Sequence, residues 1–358
     1  MKNALPTTPE LHVDLDACLQ NYNWFCEQSL GAQTAAAVKA DAYGLGMAKI
    51  APMLQSAGCK TFFVAHLVEA VSLRKTLAQE ADIYVLHGCN SIDVQVFHDH
   101  NLRPVINSDD QLRNWSQAGN GKPCALHVDT GMNRLGIAFD KIKLSNTKDL
   151  NLSLLMSHLA CASTPDHKQN ALQLQRFSQV IEQFPDTPCS LANSAGILLG
   201  SEYHFSITRP GIGLYGGTPF DAGIPAPQLT PVAKLRAPIL QIKSLKAGDA
   251  IGYGGRFIAD KSMKIAIISY GYADGLLRSA GPGANCWING QAAALLGQVS
   301  MDLIAVDLSN IDHKVNPNDY VEFLGYDLND FSRACSTIPY EILTSIGTRV
   351  SRIYHGAN

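Results

Sequence analysis

The chain is poor in several features, and each shortage excludes a class of protein. Charged residues fill only 16% of its 358 positions, and the net charge is −3. No basic field exists to draw in nucleic acid or an anionic membrane surface. The nine cysteines are scattered, odd in number, and never spaced as Cys-x-x-Cys. That pattern fits reduced thiols and argues against a disulfide framework or a zinc site, so no metal is expected. The opening residues Met1-Lys2-Asn3-Ala4-Leu5-Pro6 lack the apolar run of a signal peptide, and no later stretch is long enough to cross a bilayer. A soluble, cytoplasmic protein is expected. Heptads, low-complexity tracts and internal repeats are missing too.

What the chain has is apolar content, at 46%, and enough length for a large core and two domains. Eight short apolar runs lie at 35–39, 61–65, 82–87, 103–106, 124–129, 152–157, 188–192 and 206–209. Segments with helical periodicity separate most of them, at 46–57, 67–79, 108–118 and 167–184. Eight strand–helix units predict an α/β fold, a (β/α)8 TIM-type barrel, with an open doubly wound sheet as the alternative. After Gly217 the chain passes through Pro219, Gly223, Pro225 and Pro227 into short β-like runs at 232–242, 250–253, 264–269, 292–297, 303–306 and 320–324. This reads as an all-β C-terminal domain. The expected division is a barrel over 10–228 and a β-rich domain over 229–358, with residues 1–9 open to packing against the latter. Residues 11–16 alternate like a strand and are a candidate to pair with that second domain.

The most informative stretch is Ala35-Ala36-Ala37-Val38-Lys39-Ala40-Asp41-Ala42-Tyr43-Gly44-Leu45-Gly46. It places an amine where a buried strand stops. Desolvation lowers a lysine's pKa, and the free amine can form a Schiff base with an aldehyde such as pyridoxal phosphate. A lysine snorkelling from a strand end is the plainer alternative. Reactive side chains of a barrel belong at the C-terminal ends of its strands. Lys39 ends the first run, His158 follows the sixth, Asn193 and Ser194 follow the seventh, and Arg209 ends the eighth ahead of Gly211-Ile212-Gly213. The loops after strands seven and eight commonly hold a phosphate on backbone N–H groups and a hydroxyl. Gly211 to Gly216 formally matches G-x-G-x-x-G, but neither a following helix nor an acidic residue near position 236 supports a dinucleotide site.

Asp129-Thr130-Gly131-Met132-Asn133-Arg134-Leu135-Gly136 is a glycine-bounded turn whose arginine could clamp a carboxylate, or could be an ordinary surface residue. In the second domain, Tyr253 and Tyr272 sit between glycines, and Ser300-Met301-Asp302 lies in a similar loop.

These stretches together, with Arg209-Pro210-Gly211 and Gly271-Tyr272-Ala273-Asp274-Gly275, closely resemble alanine racemases, two-domain pyridoxal-phosphate enzymes. The resemblance implies a head-to-tail homodimer acting on a small amino acid. It implies Lys39 as Schiff-base lysine and one catalytic base, and Tyr253 of the partner subunit as the other. Arg134 would hold the substrate carboxylate with the backbone of Met301, and Tyr272 and Asp302 would shape the pocket. Tyr43, Ser194, Gly211 and Ile212 would bind the cofactor phosphate. Arg209 would face the pyridine nitrogen, with His158 linking it towards Tyr253, and His158 and Asn193 are counted with the cofactor-binding set. The implied role is D-alanine supply for peptidoglycan. A racemase of other or broader specificity is one alternative, and a non-catalytic pyridoxal-phosphate-binding single barrel is another.

Two positions depart from the family pattern. Many members carry a carbamylated lysine seven residues before the clamp arginine, where this chain has His127. Arg134 is therefore expected to be steadied by His127 or by a bound anion. Some members place a phosphate-binding tyrosine where this chain has Thr348, which is left out of the site.

Overall fold

Eight parallel strands close into a ring in the computed structural model, which describes residues 8–143, 147–281, 283–325 and 328–356. The first is interrupted, Gln33–Thr34 and then Ala36–Ala37. Thr61–Val64, Asp82–Val85, Arg103–Ile106, Pro123–Asp129, Asn151–Met156 and Cys189–Ser190 follow in parallel register. The eighth, Ile207–Thr208, pairs with Gln33–Thr34 and so meets the first. It is joined to the seventh by Ser206 N–H donating to Cys189 O and Arg209 N–H to Ala192 O, both at 2.9 Å. The expected barrel is present.

Strand residues alternate between two environments, as a period of two requires. Ala35, Phe63, Tyr84, Val105, Ala125 and Leu154 fill the bore, while Phe62, Ile83, Ile106, Leu126 and Leu155 face the surrounding helices. The bore is a packed core, with Phe63 and Tyr84 stacked at 5.1 Å. The site must therefore sit above it, at the strand ends.

The helices Met47–Ser56, Asp109–Ala118 and Lys168–Ile181 lie where periodicity put them. The helix expected over 67–79 stops at Arg74. The buried Arg74 guanidinium donates to the carbonyls of Ala78, Ala81, His100 and Asn101, and these bonds hold the following chain in a loop.

The second sheet is mostly antiparallel. Its strands run in the order Met263–Ile268, Ile304–Asp307, Gln291–Leu296, Asn285–Ile288, Tyr320–Phe323, Ala233–Leu245, Glu10–Asp14, Ser351–His355, and Met263–Ile268 also pairs with Ala233–Leu245. The N-terminal strand thus lies in this sheet. It ends two residues before the expected 16, because the Asp14 carboxylate accepts from Ala17 N–H at 2.9 Å and starts the helix Leu15–Gln28. The second domain is not purely β. It also carries the helices Leu328–Ala334 and Pro339–Thr344, and the strands Asn285–Ile288 and Ser351–His355 add to the expected set. Asn289-Gly290, at φ 48° and 84°, turns the hairpin between Asn285–Ile288 and Gln291–Leu296. No helix among the described residues is long and apolar enough to cross a membrane.

Candidate active site

Lys39 lies at the end of the first barrel strand and points into a cavity of about 480 Å³ at the barrel mouth. Tyr43, Arg134, His158, Asn193, Ser194, Arg209, Gly211 and Ile212 line the same cavity. Burial and the nearby Arg134 charge lower the Lys39 pKa, and Glu69 partly opposes them. This favours the free amine relative to a surface lysine.

The backbone just after Lys39 is strained. Ala40, Asp41, Ala42 and Tyr43 all have φ between 52° and 57°, and Gly44 follows at 82°. Each left-handed non-glycine residue costs roughly 1–2 kcal/mol. Met47 N–H donates to the Asp41 carboxylate at 2.7 Å, and Ala40 N–H donates to the Glu69 carboxylate at 2.5 Å. The turn carries Tyr43 into the barrel mouth, where its ring packs 4.7 Å from Tyr215 and 6.0 Å from Tyr340.

Ser194 and the glycine turn face each other. The Ser194 hydroxyl oxygen accepts from Gly211 N–H at 2.8 Å and Gly213 N–H at 3.3 Å. A Cβ at Gly211 would overlap the Tyr43 hydroxyl, so glycine lets the backbone approach this end of the cavity. The Asn193 side chain accepts from Gly196 N–H at 2.8 Å, which caps the turn presenting Ser194.

Arg209 is 5% exposed and donates to Ser157 O at 2.7 Å, to Leu191 O at 3.3 Å and to the Ser190 hydroxyl. Burial pushes its pKa down to about 9, which still leaves it charged at neutral pH. It also donates to His158 Nδ1 at 3.4 Å. Burial and then the Arg209 charge hold His158 well below its ordinary pKa. His158 is therefore neutral, with the proton on Nε2.

The Asp129 carboxylate shapes the Arg134 loop by accepting from the N–H groups of Gly131, Met132 and Asn133 at 2.9, 2.9 and 3.1 Å. His127 lines the same wall and bonds Asn107 Oδ1 through Nδ1 at 2.8 Å.

Four candidates are not brought to this cavity within one protomer. Tyr253 is 77% exposed, on a turn where Gly252, Gly254 and Gly255 all have positive φ. Tyr272 and Met301 are exposed, and Asp302 bonds Arg349 at 2.8 Å. These last three share one site on the second domain, since Tyr272 N–H donates to Ser300 O and Ala273 N–H to Met301 O. Tyr340, from the helix Pro339–Thr344, lines the cavity and was missed by sequence reasoning, and so was His87. Nothing local to Tyr340 marks it, because its role depends on how the second domain folds back over Tyr43. Thr348 is exposed and outside the cavity. Among the described residues no cluster of three or more histidine, cysteine, aspartate or glutamate side chains could hold a metal ion.

An amine, two arginines, a neutral histidine and a hydroxyl–glycine cradle in one cavity narrow the chemistry, and comparison with known proteins decides the family. The pattern of the alanine racemase N-terminal domain matches residues 13–219, and that of the alanine racemase C-terminal domain matches residues 232–354. The chain belongs to the alanine racemase family. An alanine racemase of Jannaschia sp. is 41% identical, covering 96% of this chain and 98% of its own length. One described as catabolic, from Agrobacterium fabrum, is 40% identical over 96% of this chain and 91% of its own. The crystal structure of the Bartonella henselae alanine racemase, with covalently bound pyridoxal phosphate, superposes with a TM-score of 0.92 at 36% identity, covering 98% of this chain and 100% of that one. The biosynthetic alanine racemase of Pseudomonas aeruginosa gives 0.90 at 34% identity, with the same coverage. As an alanine racemase family member this chain is an amino-acid racemase, not a non-catalytic single barrel.

Proposed function

We propose that the chain interconverts L- and D-alanine with pyridoxal 5'-phosphate seated in the barrel mouth, as a homodimer whose sites are shared between protomers. The observation that carries this reading is the single cavity joining Lys39 to Arg134, Arg209, His158 and the Ser194–Gly211 cradle. The donor set fits the cofactor. Lys39 supplies an amine to hold it. The Tyr43 and Ser194 hydroxyls and the backbone of Gly211 and Ile212 would bind the phosphate, and the charged Arg209 would donate to the ring nitrogen.

When bound, the cofactor supplies a conjugated ring that spreads the negative charge left as the α-proton departs. The protein must then hold that proton and return it on the other face. Lys39 takes it from the D-isomer and Tyr253 of the partner subunit from the L-isomer, each acting as acid in the reverse direction. Arg134 holds the carboxylate so that Cα–H lies between them. Arg134, with the charged Arg209 bonded to His158, would place positive charge beside the partner's phenol. A solvent-facing phenol on a turn of three positive-φ glycines, outside the lining of its own protomer's Lys39 cavity, is suited to enter a second copy's barrel. Tyr272, Met301 and Asp302 would accompany it and close the substrate pocket. The cellular role in this reading is D-alanine supply for peptidoglycan, in the cytoplasm.

A chiral assay with alanine, serine and lysine, run with and without pyridoxal phosphate, tests this. Alanine should racemise fastest and only with cofactor. Equal turnover of serine or lysine would indicate a broader racemase, and no racemisation by cofactor-loaded protein would refute the reading.

A further inference from the structure

Glu69 is the third residue of the helix Leu67–Arg74, and its carboxylate accepts from His66 N–H at 2.9 Å. That bond is the reciprocal cap expected of a glutamate at this position. Two further bonds leave the helix. The same oxygen accepts from Ala65 N–H at 2.8 Å, just beyond the second barrel strand. The other oxygen accepts from Ala40 N–H at 2.5 Å, across 29 residues of sequence. Capping a helix needs only the first of these.

Ala40 follows Lys39 directly and opens the left-handed turn, at φ 52°. Alanine avoids that region because its Cβ approaches the following carbonyl. Asp41, bonded to Met47 N–H, secures the far end of the turn. Its near end, where the lysine side chain departs, is held by Glu69. Charge acts in the same place, since Glu69 opposes the loss of the Lys39 proton that burial and Arg134 favour.

We propose that Glu69 is a positioning residue for Lys39. It pins the first N–H of the strained turn to the neighbouring strand end and so fixes the direction in which the amine enters the cavity. This rests on the reading of Lys39 as the cofactor-holding amine. Glu69→Gln keeps the side-chain volume but turns an NH2 towards one of the N–H groups, either that of Ala40 or those of Ala65 and His66. Glycine adopts positive φ without penalty, so Ala40→Gly should make the turn less dependent on the carboxylate.

The test uses the full chain, stripped of cofactor and then mixed with pyridoxal phosphate. Loading is followed by the absorbance of lysine-bound cofactor, and by mass mapping of Lys39 after borohydride reduction. Thermal unfolding is recorded for each variant. Glu69→Gln should slow loading tenfold or more, and adding Ala40→Gly should recover part of that loss. Wild-type loading by Glu69→Gln, with only a lowered melting temperature, would reduce Glu69 to a helix cap and overturn the proposal. A double variant no faster than Glu69→Gln would also overturn it. Wild-type protein that takes up no cofactor at Lys39 would instead overturn the reading of Lys39 itself, and this inference with it.

Discussion

The bond between His127 Nδ1 and Asn107 Oδ1, at 2.8 Å, decides which nitrogen His127 turns to the cavity. The Asn107 amide nitrogen donates to Val105 O at 2.7 Å and Leu86 O at 2.9 Å, which leaves its oxygen to accept from the ring. Nδ1 therefore carries the proton and Nε2 keeps a lone pair. His127 lines the same cavity as Arg134, at the position where many family members have a carbamylated lysine. We expect Asn107→Leu to release the ring and loosen the arginine clamp. KM for alanine should rise about five- to tenfold, roughly 1–1.4 kcal/mol, with kcat little changed. Steady-state kinetics would show it, and an unchanged KM would remove Asn107 from the clamp.

The same histidine makes a pH-dependent contribution to stability. Burial, then the charge of Arg209, hold its pKa down to about 4. An unfolded histidine titrates near 6.5. Above that pH both states are neutral and the folded chain keeps its full stability. Between 6.5 and about 4 only the unfolded chain takes up the proton, so stability falls with pH, and below about 4 the loss levels off. The whole effect is on the order of 3 kcal/mol. Urea denaturation at pH 7 and pH 4.5, at one protein concentration, should show a smaller loss for His127→Gln than for wild type. Equal losses would mean that His127 is not held neutral by the fold.

The barrel could be read from the sequence because strands buried on both faces appear as unbroken apolar runs, and Lys39, His158, Ser194 and Arg209 each stand where such a run stops. The long-range contacts around the cavity could not be read. Asn107 bonds His127 across 20 residues, Glu69 bonds Ala40 beside Lys39 across 29, and Tyr340 packs on Tyr43 from the far end of the chain. Local periodicity carries no information about such pairs. The strand Asn285–Ile288 was legible in principle, since Asn289-Gly290 is a strong hairpin signal beside an apolar run. Tyr253 differs again. Its flanking glycines mark an exposed turn, and it does not line the Lys39 cavity of its own protomer, so the role proposed for it needs a second copy of the chain.

Shared sites make a prediction that a self-contained protomer does not. Lys39→Ala should abolish activity and the absorbance of lysine-bound cofactor. Tyr253→Phe should keep the cofactor and slow the L-to-D direction most, by about 10²–10⁴-fold. Co-refolding equal amounts of the two variants gives dimers of which about half are mixed, and each mixed dimer has one site with both native groups. Roughly a quarter of wild-type activity should return. If mixing restores nothing, while each variant alone still forms dimers, both bases belong to one chain.

The contact between Gly211 and Tyr43 separates packing from chemistry at the Ser194–Gly211 end of the cavity. A methyl group at 211 would overlap the Tyr43 hydroxyl and crowd the side chain of Ala37. The tyrosine ring cannot easily retreat, because it is buried and packed between Tyr215 and Tyr340. Overpacking of this kind costs about 1–3 kcal/mol. Gly211→Ala should therefore lower stability by that amount and weaken pyridoxal phosphate binding. Tyr43→Phe removes the atom in conflict but also, on the proposed reading, a hydroxyl that binds the phosphate. The double variant Gly211→Ala/Tyr43→Phe should then regain stability relative to Gly211→Ala while its cofactor affinity stays low. A coupling energy near zero in a denaturation cycle would show that the two residues do not press on each other. Full recovery of cofactor affinity in the double variant would show that the Tyr43 hydroxyl does not bind the phosphate.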